Sequence, residues 1–134
     1  MKKQSSHPVK IKLILERGKG EWWGRVKMKE NLHTTNARTP NLVKKNMLRL
    51  LNDLEQINPG SIVFEIGYDI TAFFETHPYL NISVVAQVAG INSALMRQYS
   101  SGVKHASRNR VQEIQKTVRS MGKELSRLTL YARE

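Results

Sequence analysis

The sequence predicts an α+β chain: a small N-terminal sheet of three to four strands with one helix, followed by an all-α half that holds a helix-turn-helix. Three observations carry this prediction. Apolar and polar residues alternate through residues 9–16 and 21–29, the period of a half-buried strand. From Tyr68 onward the apolar period becomes that of an amphipathic helix. Within "VVAQVAGINSALMRQYSSG", Val84 to Gly102, two short helical runs are parted by Gly90.

The first strand places Val9, Ile11, Leu13 and Leu15 on one face and Lys10, Lys12 and Glu16 mostly on the other. "RGKG", Arg17 to Gly20, reads as a hairpin turn. "EWWGRVKMK" alternates again, with Trp22, Val26 and Met28 opposed to Trp23, Arg25, Lys27 and Lys29. "LHTTNA", Leu32 to Ala37, is a weaker third strand. Thr39-Pro40 is a helix start, threonine as N-cap and proline in the first helical position. Val43, Met47, Leu50, Leu51 and Leu54 follow at helical spacing, and the helix should end near Gln56, before the turn cluster "NPGS". In "IVFEIG" the residues Ile62, Phe64 and Ile66 point inward as a fourth strand. Residues 8–67 therefore read as one β-β-β-α-β domain and residues 68–134 as a second, helical one. A unit of that size buries little surface by itself, so a partner copy or the second half should support it.

In the second half, "DITAFFETH" sets Ile70, Phe73 and Phe74 on one face and stops before Pro78. The next two runs, 82–89 and 93–99, are each shorter than the ~12–15 residues at which a lone helix is even marginal, so each must lean on a neighbour. Ala86 is small, which lets a second helix cross closely, and Gly90 takes a positive φ without a Cβ clash. Ile91 plugs the corner and Asn92 or Ser93 caps the second run. Val85, Val88, Ala89, Leu95, Met96 and Tyr99 supply the buried faces, and "SSG" closes the run at Gly102. This is the helix-turn-helix pattern. A last helix, Ser107 to Gly122, carries Val111, Ile114, Val118 and Met121 as its stripe, with Gly122 read as its C-cap. Leu125, Leu128 and Leu130 beyond it fit either a further helical turn or a short strand.

The net charge is +11, from 22 Lys/Arg against 11 Asp/Glu, which favours anionic partners, nucleic acid first. The chain has no cysteine, which excludes disulfides and thiolate metal sites. "MKKQSSHPVK" is basic but has no apolar stretch after it, so no secretory signal is expected, and no apolar run reaches the ~18 residues of a membrane span. A cytoplasmic protein with no membrane partner is the expectation. Catalytic chemistry has thin support: His7, His33, His77 and His105 are scattered without ligand spacing, no paired carboxylates are suitably placed, and no glycine-rich phosphate loop follows a strand. His33 lies in the third strand, where a lone histidine is usually structural. No catalytic residue, metal or cofactor is expected.

"YDITAFFE…NISVVAQVAGINSALMRQYSSGVKHAS…IQKTVRSMGKEL" resembles the C-terminal part of bacterial HicB-like antitoxins. Residues 69–122 look like a lambda-repressor-like (XRE-type) helix-turn-helix, and the whole chain resembles that antitoxin family, in which a β-β-β-α-β domain precedes such a module. The resemblance implies a transcriptional regulator that binds double-stranded DNA as a homodimer or higher oligomer. It implies dimerisation through the N-terminal domain and a HicA-type ribonuclease toxin as a candidate partner.

By that resemblance the exposed face of the second helix reads sequence. Arg97 would fork onto a guanine and Gln98 onto an adenine, while Asn92, Ser93 and Ala94 at the helix entry reach base edges and a thymine methyl. Asn92 and Ser93 are equally apt as helix caps. Ser101, Lys104, Arg108 and Arg110 suit phosphate oxygens, which position the protein without reading sequence. Lys116, Arg119, Lys123 and Arg127 read as a solvated helix face. The alternative is an RNA-binding or protein-interaction module built on the basic N-terminal domain. There the outward ring of the Trp22-Trp23 pair would stack on a base or cover a subunit interface.

Overall fold

The computed structural model describes residues 7–134, so the first six residues of the basic N-terminal segment lie outside the described residues. The elements run β1 (Val9–Gly18), β2 (Glu21–Met28), β3 (Asn31–Ala37), α1 (Pro40–Glu55), a 3₁₀ turn (Pro59–Ser61), β4 (Ile62–Tyr68), α2 (Ile70–Thr76), α3 (Ile82–Ala89), α4 (Ser93–Ser101) and α5 (Arg108–Arg127). Contacts divide the chain into two compact units that part between Phe73 and Phe74.

The strands form one four-stranded mixed sheet in the order β3-β2-β1-β4. β1 and β2 pair antiparallel through the turn Lys19-Gly20, where both residues have positive φ (52° and 76°), the mirror-image turn that matches strand twist. β2 pairs antiparallel with β3, and β4 lies parallel to β1 with Leu13 opposite Ile66. A parallel neighbour cannot be reached by a hairpin, and α1 is the crossover that makes it reachable. Thr39 caps α1, its Oγ1 accepting from Leu42 N at 3.1 Å, and Pro40 opens the helix. α1 lays Val43, Met47 and Leu51, all fully buried, onto Ile11, Leu13, Leu15, Trp22 and Val26.

The expected division into an N-terminal sheet followed by an all-α domain does not hold. Strands and helices interleave: β4 sits between α1 and α2, and the sheet is a four-stranded mixed one. The physical reason is visible at α2. Asp69 N donates to Leu15 O at 3.0 Å, so the chain leaves β4 still hydrogen-bonded to β1, and Ala72 of α2 is fully buried in the core of the sheet. The first turn of the helical half thus belongs to the sheet. The buried residues of α2 are Ala72 and Phe74, with Ile70 and Phe73 only half-buried, a different face from the Ile70-Phe73-Phe74 stripe expected.

In the second unit Phe74, Val85, Ala86, Ile91, Met96, Tyr99 and Ile114 are buried. Val88, expected inside, is 59% exposed, because the inner side of the short helix α3 is taken by Val85 and Ala86. Gly122 does not end α5. The helix runs through it to Arg127, since a glycine in helical φ flanked by Lys123, Glu124 and Leu125 costs only about 1 kcal/mol relative to alanine. Residues 128–134 form neither helix nor strand, and Leu128 is extended.

Candidate nucleic-acid interface

Two short helices and the corner between them make the site, and each end is closed by its own residues. Asn81 Oδ1 accepts from Val84 N at 3.1 Å and starts α3. At the other end Gly90 adopts φ 73° and ψ 28°. Ile91 N then donates back to Ala86 O at 2.9 Å and Gly90 N to Gln87 O at 3.2 Å. This is a complete Schellman closure, with Ile91 as its buried apolar residue. One residue later Asn92 Oδ1 accepts from both Ala94 N (2.9 Å) and Leu95 N (3.2 Å), which starts α4. The backbone therefore reverses at Gly90, between a closed helix and a capped one. Ala86, fully buried, leaves room for α4 to pass α3 closely.

α4 buries Met96 and Tyr99 and turns Ala94, Arg97 and Ser101 outward at i, i+3 and i+7. Ser93 and Gln98 flank that line and are half-buried. Arg97 is exposed, and its Nη1 donates to Ser83 Oγ at 3.1 Å, which lays the guanidinium against the first turn of α3. That bond uses one of the five guanidinium N–H groups, and four remain for an acceptor. Asn92 uses its carbonyl oxygen as the cap, which leaves only its amide N–H groups for a ligand. For Ala94 the exposed methyl is the whole offering, and it suits an apolar contact.

Gly102, at φ 84°, closes α4, and Lys104 N donates to Gln98 O at 3.2 Å. Lys104 and Arg108 are exposed beyond this turn. Ser107 Oγ accepts from Arg110 N at 3.2 Å and caps α5. Arg110 is less available than the sequence suggested, being half-buried with its Nη1 3.4 Å from Glu113 Oε1. Ser101 is exposed, with its hydroxyl donating to Gln98 O at 3.3 Å.

Two features escaped the sequence reading. Ser83, the partner of Arg97, lies 14 residues away on the preceding helix, so no local pattern links them. The second was legible: no carboxylate occurs between Glu75 and Glu113, a stretch that contains α3, the corner, α4 and the loop to α5. Arg97, Lys104 and Arg108 thus meet no acidic residue within that stretch, and a phosphate approaching them meets no like charge from it.

In the sheet unit the tryptophans divide as expected. Trp22 is buried, with the Arg17 guanidinium carbon 5.1 Å from its ring centroid, while Trp23 is half-buried on the opposite face, its Nε1 donating to Gly18 O at 3.3 Å. His33 is buried and bonded to Glu55 at 2.7 Å, a structural role. Among the described residues no group of three or more His, Cys, Asp and Glu side chains is placed to hold a metal ion, and no helix is long and apolar enough to cross a membrane. Comparison of the chain with protein-family models, with curated proteins and with solved structures finds no match.

Proposed function

We propose that this chain is a non-enzymatic, cytoplasmic DNA-binding transcriptional regulator of the HicB-like antitoxin type, in which α4 enters a major groove. The observation that supports this reading most is the exposed line Ala94-Arg97-Ser101, held by the Gly90 reversal and followed by Lys104 and Arg108 in a carboxylate-free stretch. A helix offered to a groove needs a polar or small outer face, a rigid inner one and cations at its flank, and α4 has all three. In this reading Arg97 pairs with a guanine and Gln98 with an adenine, with Asn92 and Ser93 at the helix entry. Lys104, Arg108 and Ser101 bind phosphate, and Arg110 joins them on release from Glu113. The sheet unit would serve association and docking of a HicA-type toxin.

Selection of bound duplexes from a random pool, with the DNA upstream of the chain's own gene included, tests the reading. A recovered consensus that the R97A/Q98A variant no longer prefers is the expected result. Binding without preference for any duplex would refute it.

One observation favours a second reading. Trp23 lies on the outer face of the sheet with the exposed cations Lys10, Lys12, Arg25 and Lys27, a combination that stacks single-stranded bases. Quenching of tryptophan fluorescence by single-stranded RNA, lost in W23F, would support it.

A further inference from the structure

Of the two long side chains that read bases in the proposed complex, one is held in place before any DNA arrives. Arg97 Nη1 donates to Ser83 Oγ at 3.1 Å, across the crossing of α3 and α4, and both residues are exposed. The anchor is stiff. Ser83 lies in the first turn of α3, two residues after its cap Asn81 and two before the fully buried Val85. A single torsion, χ1, places its hydroxyl. Gly90 and the cap at Asn92 fix the other side of the crossing, where Arg97 follows the fully buried Met96. The side chain of Gln98 has no such anchor among the described residues; only its backbone oxygen is engaged, by Lys104 N and the Ser101 hydroxyl.

The atoms engaged decide what is left for a ligand. In a guanidinium the Nε–H and one Nη2–H point the same way, and together they form a two-pronged edge that matches N7 and O6 of a guanine. The bond to Ser83 is made from Nη1, which is not part of that edge, so the edge stays open. A hydroxyl is also the right kind of anchor. A carboxylate in its place would hold the arginine more tightly but offset its charge, and a base would then compete with an ion pair. No carboxylate occurs between Glu75 and Glu113, so Ser83 restrains the fork and leaves its full charge to the groove. An arginine immobilised only on binding gives up rotamer freedom at that moment, whereas one already held loses less.

We propose, building on the reading of α4 as a helix that enters a major groove, that Ser83 is a positioning residue for Arg97. It presets the guanidinium fork for one guanine and so sharpens sequence choice at that base pair, without touching a base itself.

The test pairs a DNA readout with one that needs no DNA. Duplexes are selected from a random pool with wild type, S83A, S83T, R97A and S83A/R97A. S83A should relax the same single position that R97A relaxes, with a loss of about 2- to 10-fold on the selected duplex. The position read by Gln98 and the affinity for a scrambled duplex should not change. S83T, which keeps the hydroxyl, should restore the preference, and S83A/R97A should match R97A because the anchor has nothing left to hold. Ser83 is exposed and alanine favours a helix, so S83A should melt no lower than wild type, which separates a lost anchor from a damaged fold. In the free protein, nitrogen-15 relaxation of the Arg97 Nε–H should show a restricted side chain in wild type and S83T and a mobile one in S83A. A guanidinium equally mobile in wild type and S83A overturns the proposal whatever the duplexes show. So does an S83A variant that selects like the wild type while R97A relaxes one position. A restricted Arg97 in a chain that prefers no duplex refutes the reading of α4, and with it the role given to Ser83.

Discussion

His33 Nε2 and Glu55 Oε2 lie 2.7 Å apart and join the middle of β3 to the last residue of α1. Asn31 Nδ2 donates to the same oxygen at 3.0 Å. The His33 hydrogen bond, followed by that from Asn31, holds the Glu55 carboxyl below its ordinary value of 4.5. A carboxylate depressed on folding stabilises the fold above its unfolded pKa, and that stabilisation is lost as pH falls through the depressed folded value. Urea midpoints should therefore drop below about pH 4.5 by more in the wild type than in E55Q, whose amide does not titrate. Parallel pH profiles of the two proteins would show that Glu55 contributes nothing to acid sensitivity.

Gly24 sits in β2 where α1 crosses it, and a Cβ there would collide with Val43 Cγ1 and lie 3.2 Å from Leu13 Cδ1. Both neighbours are fully buried, so neither can step aside. G24A should destabilise the chain by about 1–3 kcal/mol, the usual cost of overpacking a filled core. Equilibrium denaturation measures it, and a neutral effect would mean that α1 can lift from the sheet freely.

Gly122 is the opposite case. Space around it is open and its φ is helical, so G122A should raise stability by up to about 1 kcal/mol through helix propensity alone. A melting temperature that falls would mean that this position needs glycine for close approach of another helix.

The corner of the candidate interface should respond at two residues. Gly90→Ala forces a Cβ into φ 73° and should cost about 1–2 kcal/mol although nothing crowds the site. Asn92→Ala removes the acceptor of two amides and should cost about 1 kcal/mol, with N92S recovering most of it. Thermal melts of the three variants check both.

How far these features could be read from the chain depends on whether they are local. Alternation found β1, β2 and β4, and Thr39-Pro40 found the start of α1, because strand faces and caps are encoded within a few residues. Gly90 and Gly102 were legible for the same reason, since a left-handed closure calls for glycine at a fixed offset. The separation of sheet from helices was misread because Ala72 carries no signal of the strand core it enters; the other buried members of that core, Ile11 to Leu51, are more than 20 residues away. Gly122 misled because glycine marks a helix end only where the backbone turns left-handed, and residue type alone does not fix φ. Of the candidate site, the cap role of Asn92 was legible, while the Arg97–Ser83 bond depends on how two helices cross.

The measurement that bears most directly on the central claim is salt-dependent binding of a selected duplex by fluorescence anisotropy, for wild type, R97A/Q98A and K104A/R108A. Loss of Arg97 and Gln98 should cost ~10-fold or more on the selected duplex and little on a scrambled one, each good base pairing being worth about 1–3 kcal/mol. Loss of Lys104 and Arg108 should weaken both duplexes alike and flatten the salt slope by about two. Equal losses on selected and scrambled duplexes for both variants would contradict a sequence-reading role for α4.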